Sequence, residues 1–319
     1  SPGASSRVAY REVLRRKTVV TSAGTDVTEH ETLCGCRFDL SGSRRIPVTR
    51  DIAWRGGFSP FRSCEEIVEE MAEELSEMER SYPAGKTRAK VVLDPELAGA
   101  FVHEVFGHLS EPGPWRCRNA SGEGVSLPAA SECVTVVDDS THFDMPGSCA
   151  FDDEGVPGSR KLLVSAGVFT GAMHSLETAG RCGARSSGNA RALDIRSIPE
   201  PRMTCTYLLP GTLGKEDLLA MASDGLYLYG ALTGSTDMEC FSLTSRGGYV
   251  IRNGALSARL GPISVSGRIS DILGSVLAVA DDLRLFSGTS GCSRAGQGYL
   301  PVSYGGPHVL LGEVDCRDA

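Results

Sequence analysis

The chain has 319 residues, 41% hydrophobic and 23% charged, with a formal net charge of -8. That length allows one large domain or two small ones, each able to bury a core without staples. The composition excludes a mainly disordered or collagen-like chain, and the acidic balance argues against a nucleic-acid-coating role.

No stretch approaches the ~20 apolar residues of a membrane-spanning helix, and the start, Ser1-Pro2-Gly3, carries no signal-peptide pattern. Eleven cysteines occur without a CxxC pair. They read as free thiols of a reducing compartment, not as a zinc ribbon or redox pair.

In chain order, Arg7 to Tyr10, Lys17 to Thr21 and Thr25 to Arg37 read as strands, with a hairpin turn at Ser22-Ala23-Gly24. Asp51 to Phe61 reads as an ordered loop. Ser63 and Glu66 match a capping box that opens a helix. Ile67, Met71, Leu75, Met78 and Tyr82 form its apolar line, and glutamates fill a solvated face. Lys90 to Leu93 reads as a buried strand. Asp94-Pro95 then opens a second helix, with Asp as N-cap and Pro at the first helical position. Pro112-Gly113-Pro114 must stop it.

Beyond Val134 strands dominate: Val134–Val137, Lys161–Val164, Met203–Leu209, Tyr249–Ile251 and Val309–Leu311. Short helices are expected at Lys215–Ser223 and Arg268–Val279. Helices do not alternate regularly with strands, so the fold class is α+β, a largely antiparallel β-rich architecture with a few packed helices. The expected organisation is strands and an amphipathic helix in residues 1–92, leading into a β-rich catalytic part in 93–319, with one continuous domain as the alternative.

The second helix carries His103-Glu104-Val105-Phe106-Gly107-His108. In an HExxH helix the two histidines stand at i and i+4 and share an ion, with the glutamate as general base. Here the spacing is i+5, which leaves the side chains about 140° apart in a regular helix. One π-type turn restores the meeting. A distortion is therefore expected at Val105 to Gly107, eased by the backbone freedom of Gly107. A catalytic zinc needs about three protein ligands. From the residues alone the third is open among Glu111, His174, His308 and a cysteine. Cys292 lies in a Gly-rich loop where backbone can approach an ion. Glu111, three residues past His108, either orients that histidine or ends the helix.

The segment from Asp94 through His108 to Glu111 resembles the TldD/PmbA metallopeptidases, in their TldD-type form with HExxxH. The resemblance continues, in family order, through Val134 to Asp139, Phe151 to Gly158, Ser187 to Arg191, and Pro201-Arg202-Met203-Thr204-Cys205-Thr206-Tyr207. It ends in Gly291-Cys292, Gly296-Gln297-Gly298 and Leu300-Pro301-Val302. It implies Zn2+ held by His103, His108 and Cys292, with Glu104 as general base. It implies a cytoplasmic peptidase acting on extended or unfolded peptides, with a PmbA-type partner subunit or a second copy of the chain. Gly188, Asn189 and Arg191 would offer donors to the substrate. Two other readings stand beside it: an amidase or deacylase acting on a small natural-product intermediate, and a catalytically silent partner subunit. Two departures from the family pattern are expected to matter. The usual N-terminal α/β region is absent from this sequence, and the stretch from Pro112 to Glu132 is short.

Overall fold

A computed structural model describes residues 5–42, 47–58, 64–111, 129–237, 239–294 and 296–319. The capping residue Ser63, the stop at Pro112-Gly113-Pro114 and most of the shortened stretch after it lie outside the described residues.

Strands β1 (Ser5–Val20), β2 (Asp26–Ser41) and β3 (Pro47–Arg55) form an antiparallel meander. The two short strands expected before Thr21 are one long strand. The loop expected from Asp51 begins inside β3, because Asp51 to Arg55 pair with Leu33 to Arg37. Helix α1 (Cys64–Met78) lays Met71 and Met78, with Ile67 and Leu75 beside them, on Cys36, Phe38 and Val48. Tyr82 falls beyond the helix and is 67% exposed. The glutamate face is not wholly solvated either, since Glu74 is buried against Arg50 at 2.5 Å.

Strand β4 (Thr87–Leu93) enters a seven-stranded sheet. Pairing runs from Gly225–Thr236 through β4, Val309–Asp318, Ile263–Arg268 and Cys240–Arg252, then back to Gly225–Thr236, so the sheet closes on itself. A six-stranded sheet contains Val136–Asp139, Arg160–Ser165, Cys205–Leu208 and Ser303–Gly306. Nearly all pairings are antiparallel, giving the expected strand-rich α+β architecture. The helix expected over Arg268–Val279 is instead one turn, Ile269–Leu273, followed by a strand, Val276–Val279, that pairs with Val309 to Leu311. Tertiary pairing has overridden local periodicity there.

Helix α2 (Pro95–Val102) lies between the two large sheets, and Leu97, Ala98, Phe101 and Val102 are buried in the main core. Its close approach to the strand Ser303–Gly306 needs a glycine: a Cβ on Gly99 would stand 2.8 Å from the Gly305 Cα. The core thus wraps one short helix, and the end of that helix carries the histidines. Among the described residues, no helix is long and apolar enough to cross a membrane. Eight cysteines, among them Cys34, Cys205 and Cys292, are free thiols. Cys182 is disulfide-bonded, a departure from the expectation of free thiols throughout.

Candidate metal centre

Helix α2 starts as its sequence dictates. Asp94 is in an extended conformation and its carboxylate accepts from the Leu97 amide, while Pro95 fills a position that needs no donor. After Val102 the helix widens into a π turn, His103–Gly107, and the His108 amide donates to the His103 carbonyl five residues back. The extra residue brings the two imidazoles together, with ring centroids 5.0 Å apart and planes nearly perpendicular. The distortion lies where the i+5 spacing puts it. The role of Gly107 differs from the expectation. Its φ of -60° is open to any residue. What excludes a side chain is Met203, whose Sδ would stand 2.1 Å from a Cβ on Gly107.

The third member arrives from far along the chain. Cys292 opens a two-stranded ribbon, Cys292–Arg294 with Gln297–Leu300. One ligand atom from each of His103, His108 and Cys292 lies within 4.8 Å of the others, and all three residues are buried. Of the third-ligand candidates, His174 and His308 are engaged elsewhere, with Thr178 and with Asp282 and Tyr227 respectively.

The donor set fits a zinc ion. Zinc–ligand distances of about 2.0–2.3 Å place tetrahedral donors roughly 3.4–3.8 Å apart. His108 Nε2 and Cys292 Sγ stand 3.7 Å apart. His103 Nδ1 is buried without a hydrogen-bond partner among the described residues, and an orphaned buried nitrogen is costly unless something binds it. Burial lowers the His103 pKa, the nearby carboxylates opposing it, so the ring is held neutral, the form that binds metals. For His108, burial acts downward too. The hydrogen bonds to Cys292 and Glu111 outweigh it and the net direction is up.

Glu111 is the residue just past the helix. Its Oε2 lies 2.9 Å from His108 Nδ1, which turns Nε2 toward Cys292. It also accepts from the Met203 amide and from Arg294. Burial would raise its pKa, yet His108, Arg294 and Arg202 hold it below the usual carboxylate range. Glu104 is half-buried, its Oε2 3.8 Å from His108 Nε2. Gly234 leaves it room: a Cβ there would stand 2.7 Å from the Glu104 Oε1.

A cleft opens beside this cluster. His103 and Glu104 line it together with Leu232, Thr233 and Gly234, and Arg37, Thr49 and Asp51 of β2 and β3 form the facing wall. The strip Gly288–Gly291, just before Cys292, closes one end. Its Thr289 amide donates to Asp51 at 2.9 Å. Behind the strip lies a second, more apolar cleft lined by Val13, Leu33, Leu193, Thr289 and Tyr299.

The residues expected to meet substrate sit apart from the cluster. Asn189 is fully buried and donates to Asp138 and to the Arg202 carbonyl. Arg191 donates to the Met203 and Pro301 carbonyls. Gly188 has a φ of +72° and is packed against the Pro157 carbonyl. The polar side-chain groups of Asn189 and Arg191 are spent inside the fold. Sequence reasoning missed Arg202, Arg294 and Met203, which support the centre. The block Pro201 to Tyr207, noted for its resemblance, contains Arg202 and Met203; Arg294 lay in none of the quoted blocks.

Residues 86–317 match the family model described as the PmbA/TldA metallopeptidase C-terminal domain. The chain belongs to the PmbA/TldD metallopeptidase family. It is 34% identical over 317 residues to a metalloprotease of Methanocaldococcus jannaschii, an overlap covering 95% of this chain and 67% of that one. It is 36% identical over 315 residues to a metalloprotease of Methanothermobacter thermautotrophicus, covering 96% and 68%. A zinc metalloprotease TldD homolog of Saccharolobus solfataricus is 30% identical over 224 residues, covering 69% of this chain and 49% of that protein. The fold is shared with TldE from Thermococcus kodakarensis, with a TM-score of 0.71 at 19% identity, covering 98% of this chain and 68% of that one. The names of these metalloprotease relatives imply a metal, and for one of them that metal is zinc.

Proposed function

We propose that this PmbA/TldD family chain is a zinc-dependent peptidase acting on extended peptides, with His103, His108 and Cys292 as ligands and Glu104 as general base. The observation that carries the reading is the convergence of the three ligand atoms beside a cleft that His103 and Glu104 line. A zinc ion in such a site lowers the pKa of water and polarises a carbonyl.

The remaining steps belong to the chain's own groups. Glu104 has its carboxylate in the cleft, where it accepts a proton from water and returns it to the departing amide nitrogen. Glu111 keeps His108 in the tautomer that leaves Nε2 free. Asn189 and Arg191 spend donors on the backbone beneath the site, at the Arg202 and Met203 carbonyls.

The cleft also supports an extended substrate. The strand Gly225–Thr236 pairs with Cys240–Arg252 along one edge. Along its other edge it pairs with β4 only from Leu226 to Leu228. From Ala231 to Gly234 that second edge pairs with no strand among the described residues, and it lines the cleft beside Glu104. An added peptide strand would be held there by main-chain hydrogen bonds with little sequence preference. Residues 1–92 then supply the facing wall while 93–319 carry the ligands. An open edge favours a peptide over a small amide, and four intact chemical groups in one place favour an active subunit over a silent one.

The test is metal content and cleavage of an unstructured reporter peptide, measured on the same preparations. The wild-type protein should hold one zinc per chain and cleave, and His103→Ala should do neither. Full zinc occupancy in His103→Ala would remove the ligand assignment.

A further inference from the structure

Arg202 is the bulkiest of the fully enclosed side chains, at 1% exposure. A guanidinium keeps its charge when buried, so it needs acceptors and a counter-charge around it. It finds both at the candidate metal centre. Nη2 donates to the Cys292 carbonyl at 2.7 Å, and Nη1 reaches the Arg294 carbonyl at 3.4 Å. Nε stands 3.8 Å from Glu111 Oε1. The other oxygen of Glu111 holds His108. One planar fork therefore hydrogen-bonds the backbone that carries the thiol and lies at ion-pair distance from the carboxylate that orients an imidazole.

This link matters because of where Cys292 sits. Its ribbon pairs with no third strand among the described residues, and a lone two-stranded ribbon is marginal. Its position relative to the helix must come from side-chain ties. The neighbouring residue Met203 completes the connection: its amide donates to Glu111 at 3.2 Å, and its side chain fills the space left by Gly107. Residues 202 and 203 thus brace the π turn, the imidazole partner and the thiol ribbon together.

We propose that Arg202 is the positioning residue of the metal centre, setting Cys292 against His108 before an ion arrives. This rests on the peptidase reading above only for its ligand set. Lysine cannot replace the arginine, because a single ammonium cannot serve two carbonyls and a carboxylate in one plane.

The experiment uses Co2+ as a probe of the whole chain, since a thiolate-to-cobalt charge-transfer band reports Cys292 in the coordination sphere, and zinc affinity by chelator competition. Two variants are compared, Arg202→Lys, which keeps the charge beside Glu111, and Arg202→Gln, which keeps a donor. Zinc affinity should fall about 10–100-fold in both, and the charge-transfer band should weaken while the thermal midpoint moves little. Variants with a lowered midpoint but an unchanged band and affinity would show a packing role alone and overturn the proposal. A wild-type protein without the band, or a band that survives Cys292→Ala, would overturn the ligand set itself, and the positioning role with it.

Discussion

At its first turn the histidine-bearing helix shares one carboxylate oxygen of Asp94 between the Leu97 and Gly230 amides, and the cap and the proline point the same way. At its last turns the same helix widens, buries two histidines and leaves a ring nitrogen without a partner among the described residues. The first end follows the rules that make sequences foldable. The second breaks them, and it is there that a distant thiol arrives. Local inconsistency held in place by surrounding structure is what a functional centre is expected to look like.

The sharpest way to break this contrast is to remove the thiol. Cys292→Ala should abolish stoichiometric zinc binding, measured by metal analysis after gel filtration, while the fold survives. Zinc retained at wild-type level would make the last turns merely irregular. Glu104→Gln should keep the metal and reduce peptide turnover roughly 10²–10⁴-fold; unchanged turnover would free Glu104 from the proton-transfer role.

The first turn offers a pH test. Burial pushes the Asp94 carboxyl from its ordinary 3.8 up to about 6, against the hydrogen bonds from Leu97 and Gly230. Below the lower value the group is protonated whether the chain is folded or not. Between the two values only the folded chain keeps the proton, so stability falls as pH rises through that window. Above about 6 the full cost is present, about 3 kcal/mol at one unit per 1.4 kcal/mol. Asp94→Asn keeps an oxygen for both amides and loses the charge. Its urea stability should be flatter with pH across the window and exceed the wild type at neutrality. Parallel curves for the two proteins would mean another group titrates there.

The smallest expected effect tests the last turns by volume. Gly107→Ala sets a methyl against Met203 and should cost about 1–3 kcal/mol of stability from overpacking, with weaker zinc binding. A neutral outcome in both would show that Met203 gives way freely.

These two ends also divide what the sequence made legible. Asp94-Pro95 announces a helix start because a cap acts within a few residues. The i+5 spacing of His103 and His108 predicts a distortion by rotation alone. The choice of Cys292 rested on resemblance, since no local pattern joins residues so far apart. Arg202 had no local signal, because its partners belong to three separate segments and a buried arginine follows no periodicity. The same reason hid the strand Gly225–Thr236, which is held by neighbours on both edges over its first part. Asn189 and Arg191 looked like free donors in sequence, and only the folded chain shows where those donors go.

The strip Gly288–Gly291 is a party wall. Ser290 and Gly291 line the chamber that holds Glu104, Thr289 lines the greasy chamber behind, and Gly288 lines both. Asp51 ties it to β3, accepting from the Thr289 amide and the Ser290 hydroxyl. A molecule wedged into the rear chamber would lean on the residues next to the thiol without entering the front one. The wall that separates the two chambers thus runs directly into Cys292, so the lining of both is continuous with the backbone that carries the thiol.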